Sequence, residues 1–135
     1  MFEYHGWITL RMSAGGSDED DEWDDLILPE TAARVEERIR ALDSPDLLQL
    51  RRMNGELFLH LGGFRNHADP EIPALFREVG RLAPGSFGVL YIHDDEHPVH
   101  SNEFRVLRLV RGEVTEHRDA LLSPCIPVLE DPWIS

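Results

Sequence analysis

The sequence predicts an α+β domain in which two helices cover one face of a mostly antiparallel sheet, and three observations carry that prediction. Apolar residues alternate with polar ones over the first twelve positions, two later stretches repeat at helical spacing, and an Asn54-Gly55 pair separates two leucine-rich runs. The 135 residues fit a single domain spanning the whole chain, 1–135, because a chain of this length buries about two-thirds of the surface it exposes when unfolded.

The opening strand places Phe2, Tyr4, Ile8, Leu10 and Met12 on one side and Glu3, His5, Thr9 and Arg11 on the other. Gly6 leaves a gap on the apolar side and Trp7 puts a large ring on the polar side, a pattern that marks close approach to the strand. Ser17 to Asp25 follows Gly15-Gly16 and holds seven carboxylates in nine residues, too many charges for a core. The first helix comes after it: Leu28, Ala32, Val35, Ile39 and Leu42 recur at steps of four and three, with Pro29 near the start. Arg34, Glu36, Glu37, Arg38 and Arg40 then face water.

Asn54-Gly55 has the turn chemistry that joins antiparallel strands, and pairing outward sets Arg52 opposite Leu57, Leu50 opposite Leu59 and Leu48 opposite Leu61. Gly62 to His67 is read as a turn, with Asn66 and His67 bracing it or touching a partner. A second helix opens at Asp69-Pro70, buries Ile72, Leu75, Phe76, Val79 and Leu82, and ends at Pro84-Gly85. Phe87 to Ile92 reads as a buried strand, and Phe104 to Val110 turns near Arg111-Gly112 into Glu113 to Glu116. Ser123 to Ser135, with three prolines, is expected as an extended, packed tail that includes Trp133. The order is strand-helix-strand-strand-helix-strand plus a C-terminal hairpin, in an antiparallel or mixed sheet that leaves its second face open, with a split β-α-β arrangement as one form.

Acidic residues outnumber basic ones 26 to 13, a formal charge of −13. A field of that sign repels nucleic acid and anionic membrane and speeds the arrival of basic partners, although acidity also serves solubility alone. No stretch approaches the roughly 18 apolar residues of a membrane helix, and the N-terminal residues lack the basic start of a secretory signal. Cys125 is the single cysteine, which leaves no internal disulfide and makes a reducing cytoplasm the expected compartment.

His93 to His100 gathers three imidazoles with Asp94, Asp95 and Glu96, ligand types suited to zinc, but Pro98 disfavours the helix that a paired-histidine motif needs. A solvated loop is the expectation there, with no metal and no cofactor. Cys125 sits between Pro124 and Pro127 with no cationic neighbour, the setting of a small buried hydrophobe and not of a nucleophile. No catalytic residue is assigned. The acidic run is interrupted by Trp23, and a charged rim around an aromatic is a common form of protein-binding surface; the alternative is a loop whose tryptophan folds back on the core.

Phe2-Glu3-Tyr4-His5-Gly6-Trp7, the acidic insert, Asn54-Gly55, Asn66-His67, Gly85-Ser86-Phe87-Gly88-Val89-Leu90-Tyr91, Asn102-Glu103-Phe104, Arg111-Gly112 and Leu122-Ser123-Pro124-Cys125-Ile126-Pro127 together resemble the immunity protein 7 family of bacterial polymorphic toxin systems. The resemblance spans nearly the whole chain. It implies an α+β protein that protects its producer by binding a toxin domain, with no catalytic residues to carry over and no fixed toxin chemistry. The expected partner is therefore a cognate toxin domain of basic character, a nuclease being one form, and neither nucleic acid nor membrane. The expected partner-binding residues are Trp7, Asp18, Glu19, Asp20, Asp21, Glu22, Trp23, Asp24, Asp25, Asp94, Asp95 and Glu96. The rival readings are a metal-binding protein or enzyme using His93, His97 and His100, and a constitutive subunit of a larger assembly.

Overall fold

Strands that bury alternate side chains need a layer on one face only, and this chain supplies that layer with two helices. The computed structural model describes residues 1–15 and 18–132, and the side chains at 18–21, 23 and 24 lie outside the description. The elements are β1 (Phe2–Leu10), α1 (Asp18–Leu42), β2 (Leu47–Met53), β3 (Glu56–Arg65), α2 (Glu71–Leu82), β4 (Phe87–Asp94), β5 (Arg105–Val110), β6 (Glu113–Arg118) and a short α3 (Cys125–Val128). The strands form one sheet in the order β2-β3-β1-β4-β5-β6, and every adjacent pair is antiparallel. β1 and β2 thus run parallel with β3 between them, and β3 and β4 run parallel with β1 between them. Each long helix closes a split β-α-β unit.

The hairpin register agrees with the sequence: Leu48 faces Leu61, Leu50 faces Leu59 and Arg52 faces Leu57. Asn54 and Gly55 have φ of 51° and 82°, and Arg111 and Gly112 have 51° and 78°, so both hairpins turn through two left-handed residues, which matches the natural strand twist. Ile8, Leu10, Leu59, Leu90, Ile92 and Leu109 rise from the sheet to meet Leu28 and Val35 of α1 and Ile72, Leu75, Phe76 and Val79 of α2. Each such side chain contributes about 1.5–3 kcal/mol relative to leaving it in water. Arg38 of α1 reaches Glu78 of α2 at 2.8 Å and ties the two helices at their solvent edge. Among the described residues no helix is long and apolar enough to cross a membrane.

Several elements differ from their sequence outlines. α1 starts at Asp18, not near Leu28, so most of the acidic run is helical and Pro29 lies inside the helix. Carboxylates near a helix N-terminus are favoured by its positive end, which offsets their poor intrinsic propensity. β3 continues through Gly62 and Gly63 to Arg65 instead of turning at the glycines. Glycine is required there for space, since a Cβ at Gly63 would lie 2.6 Å from the Tyr4 ring. The approach marked by Gly6 is made by β4, whose Val89 carbonyl would lie 2.5 Å from an added Cβ.

Pro70 occupies the cap position of α2 and not its first turn, while Asp69 Oδ1 accepts the Glu71 N–H at 3.0 Å. Leu82 is half-buried. β4 alternates where a fully buried strand was expected: Gly88, Leu90 and Ile92 are covered, while Phe87 is exposed and Val89 and Tyr91 are half-buried, because no helix covers their face. In the C-terminal segment Cys125 is buried but Ile126, Val128 and Leu129 are exposed; Trp133 lies outside the described residues.

Candidate partner-binding surface

The pleat sends odd-numbered residues of β1 away from the helices, and the register lines them up with their neighbours. One row across the sheet runs Arg51, Phe58, Thr9, Phe87 and Val110; the next runs Gln49, His60, Trp7, Val89, Arg108 and Thr115; a third runs Leu47, Gly62, His5, Tyr91, Val106 and His117. Trp7 is 38% exposed and Phe87 43%, with ring centroids 5.9 Å apart and planes at 89°, the edge-to-face arrangement that aromatic quadrupoles favour. Leu47 and Phe64 are more exposed still. The described strand carboxylates facing this side are Glu3, which His5 holds at 2.7 Å, Glu56 beside Met53, which Arg11 meets at 3.4 Å, and Glu113 at the β6 margin. Arg51 and Arg108 make no ion pair among the described residues.

One end of this face is closed. His93 is buried, packs against Phe104 with centroids 5.3 Å apart, sits 3.0 Å through Nε2 from the Ser101 carbonyl, and turns Nδ1 toward Cys125 Sγ at 3.8 Å. The C-terminal segment is fastened over this end by Asn102: its carbonyl accepts the Cys125 N–H at 2.8 Å, its side-chain amide donates to the Ile126 carbonyl at 3.1 Å, and its Oδ1 accepts the Ile126 N–H at 2.8 Å. Burial pushes the Cys125 thiol up and nearby carboxylates push it further, which keeps the sulfur protonated as expected of a packed small side chain.

Asp119 clamps the turn before this segment. Burial works to raise its pKa, but it accepts the Leu121 and Leu122 N–H groups at 3.0 and 2.8 Å and the Ser123 hydroxyl at 2.8 Å, and these bonds hold it below the usual carboxylate value.

The expected partner-binding residues do not form one patch. Phe2 pairs with Asp94 and Thr9 with Phe87, so Asp94 to Glu96 lie at the end of the sheet where β1 begins and α1 starts beyond the end where β1 finishes. β1 has nine residues, a span of about 30 Å. Trp7 sits between, on the uncovered face. Glu22 and Asp25 are exposed, whereas the side chains of Asp18, Glu19, Asp20, Asp21, Trp23 and Asp24 lie outside the described residues.

Asp94, Asp95 and Glu96 bring carboxylate oxygens within 4.8 Å of one another, and no histidine belongs to that group. The Met1 ammonium lies 2.7 Å from Asp95 and 3.8 Å from Glu96, and His67 Nδ1 lies 2.8 Å from Glu96. The histidines of the same loop brace it locally: His97 Nδ1 accepts the Val99 and His100 N–H groups at 3.1 and 3.0 Å, and His100 pairs with Glu103. The three imidazoles therefore point to separate partners.

Two features escaped the sequence reading. Phe58, Arg51 and Arg108 join Trp7 on the open face only through pairing, although the alternation Phe87, Val89, Tyr91 with Gly88, Leu90, Ile92 is a signal that could have revealed that face. The other is a polar cluster at the opening of β1, where the buried Tyr4 donates to Asp46 at 2.6 Å and Arg65 reaches Asp46 and Asp69 at 2.8 Å and Ser44 at 2.7 Å. Burial and then the bond to Asp46 push the Tyr4 phenol up, and the bond to Asp46 raises the Arg65 guanidinium.

Comparison with known proteins adds one finding: the family model described as Immunity protein 7 matches residues 1–131. No curated protein and no solved structure matches the chain.

Proposed function

The chain belongs to the immunity protein 7 family, and from that premise we propose that it neutralises one cognate toxin domain in the cytoplasm of its producer by stoichiometric binding, with no chemistry of its own. The observation that carries this reading is the family match over nearly the whole chain. A net charge of −13 supports it, because such a field speeds the arrival of a basic toxin. In this reading Asp18 to Asp25 and Asp94 to Glu96 supply attraction from the two ends of the sheet, while Trp7, and Trp23 in the acidic run, supply short-range contact. For a toxin that is a nuclease, these carboxylates compete for the surface that would hold phosphate.

Co-expression with the C-terminal toxin domain encoded beside this chain tests the proposal. Cell survival and a one-to-one complex on purification are expected, with Asp18 to Asp25 changed to asparagine and glutamine weakening the complex. Death of the cells and no complex would end the immunity reading. Metal analysis of the purified chain then decides the rival, since about one equivalent of tightly held metal is what a site built on His93, His97 and His100 requires.

A further inference from the structure

Resting on the immunity reading, we propose that the toxin docks on the uncovered face of the sheet, around Trp7 and Phe87, and that it meets this face with an apolar patch bordered by carboxylates. Every large hydrophobic residue that is exposed on a strand points to this side: Trp7, Leu47, Met53, Phe64 and Phe87. Exposed apolar side chains gathered on one side of a sheet mark an interface more often than the same residues scattered singly. Its centre is the edge-to-face pair of Trp7 and Phe87, and large aromatic side chains are the residues that most often dominate binding energy.

The charge on this face selects the occupant. Carboxylates outnumber cations two to one in the chain, yet here Arg51 and Arg108 stand on either side of the aromatic centre, with His60 in the row of Arg108 and His5 and His117 in the next. Glu3 is engaged by His5, Glu56 is engaged by Arg11 at the β2–β3 turn, and Glu113 lies at the margin, so the face has cations to offer and almost no free carboxylate. A second copy would bring arginine toward arginine under a repulsion of −13 against −13. Single-stranded RNA would find rings and arginines, but it would have to approach between two acidic ends. A protein that is basic overall and acidic at its contact patch satisfies both the long-range field and the local one.

The test uses the full chain and the co-encoded toxin domain, with affinity measured for Trp7→Ala, Arg108→Glu and Arg77→Glu. The last makes the same charge change on an exposed position of α2, on the other side of the molecule. Trp7→Ala and Arg108→Glu are each expected to weaken binding by about 30-fold or more, the range of an interface hot spot, with Arg77→Glu changing it by less than about threefold. Arg108 is exposed and unpaired, so its variant folds as the parent does, and an unchanged unfolding curve establishes that. Parent-like affinity in both open-face variants overturns the surface assignment and leaves immunity standing. Failure of the unsubstituted chain to hold the toxin overturns the immunity reading and the assignment with it. Sedimentation showing a dimer that Arg108→Glu alters would give the face to a second copy, and tight binding of oligouridylate lost in the same variant would give it to RNA; either result overturns the proposal.

Discussion

Tyr4 is wholly buried in β1, yet its hydroxyl ends on Asp46, whose other partner is Arg65. Removing the hydroxyl takes one bond from a carboxylate that keeps its guanidinium, whereas removing the carboxylate leaves both a phenol and part of a guanidinium unsatisfied. Tyr4→Phe is expected to cost about 1–2 kcal/mol and Asp46→Ala more, about 2–4 kcal/mol, in urea unfolding; the reverse order would mean that the cluster is not a unit. Asp119 gives a test of sign. Its folded pKa lies below the ordinary 3.8, so its contribution is complete above that value and is lost as pH falls through the folded one. Asp119→Asn should therefore cost about 1–3 kcal/mol at neutral pH and converge with the parent once the pH has fallen through the folded value. A gap that persisted in acid would assign the effect to packing. The first cluster was not legible in the sequence, since Tyr4, Asp46 and Arg65, like Asn102 and Ile126, meet across separations that carry no local periodicity, whereas the Asp119 carboxylate bonds only within the four residues that follow it.

Among the elements, those with a strong period or a decisive turn were legible: β1 from its alternation, the β2–β3 register from Asn54-Gly55, α2 from its apolar stripe. α1 was placed about ten residues late, because Pro29 reads as a helix start and like charges read as a loop, and neither signal weighs the dipole that steadies an acidic first turn. Pro29 has no N–H to give to the preceding turn and is exposed. Pro29→Ala is expected to stabilise the protein by about 1–3 kcal/mol and raise its helical circular dichroism; no gain would mean that α1 bends around the ring without strain. Gly88 makes the opposite case. A Cβ there would collide with the Trp7 carbonyl, so Gly88→Ala should cost about 1–3 kcal/mol and speed amide exchange along β1 and β4 ahead of α2. Gly62-Gly63 was misread for a related reason: two adjacent glycines suggest a bend, but Gly63 is small because Tyr4 and Asp46 occupy the place of its side chain.

For the molecule as a whole, the sign of the charge and the openness of one sheet face were legible, and the place where they combine was not. Composition has no geometry, so the acidic segments and Trp7 were named without places, and the fold sets the two segments at opposite ends of the sheet with aromatic rings between. Steering by such a field acts on arrival more than on departure. The association rate with a basic toxin is expected to fall at least about tenfold between about 50 and 500 mM salt, while the dissociation rate changes less; stopped-flow tryptophan fluorescence would follow both, and a flat association rate would remove the electrostatic share of the mechanism. The borders of the sheet have a consequence of another kind. β2 and β6 each carry one unpaired side. Wherever many copies lie side by side, ribbons with open flanks can knit into fibres. Arg51 and Arg52 on one flank, and Glu113, Glu116 and Arg118 on the other, all stand exposed where a neighbouring ribbon would have to lie. They act as fences, since a neighbouring strand would have to bury these charges in order to pair.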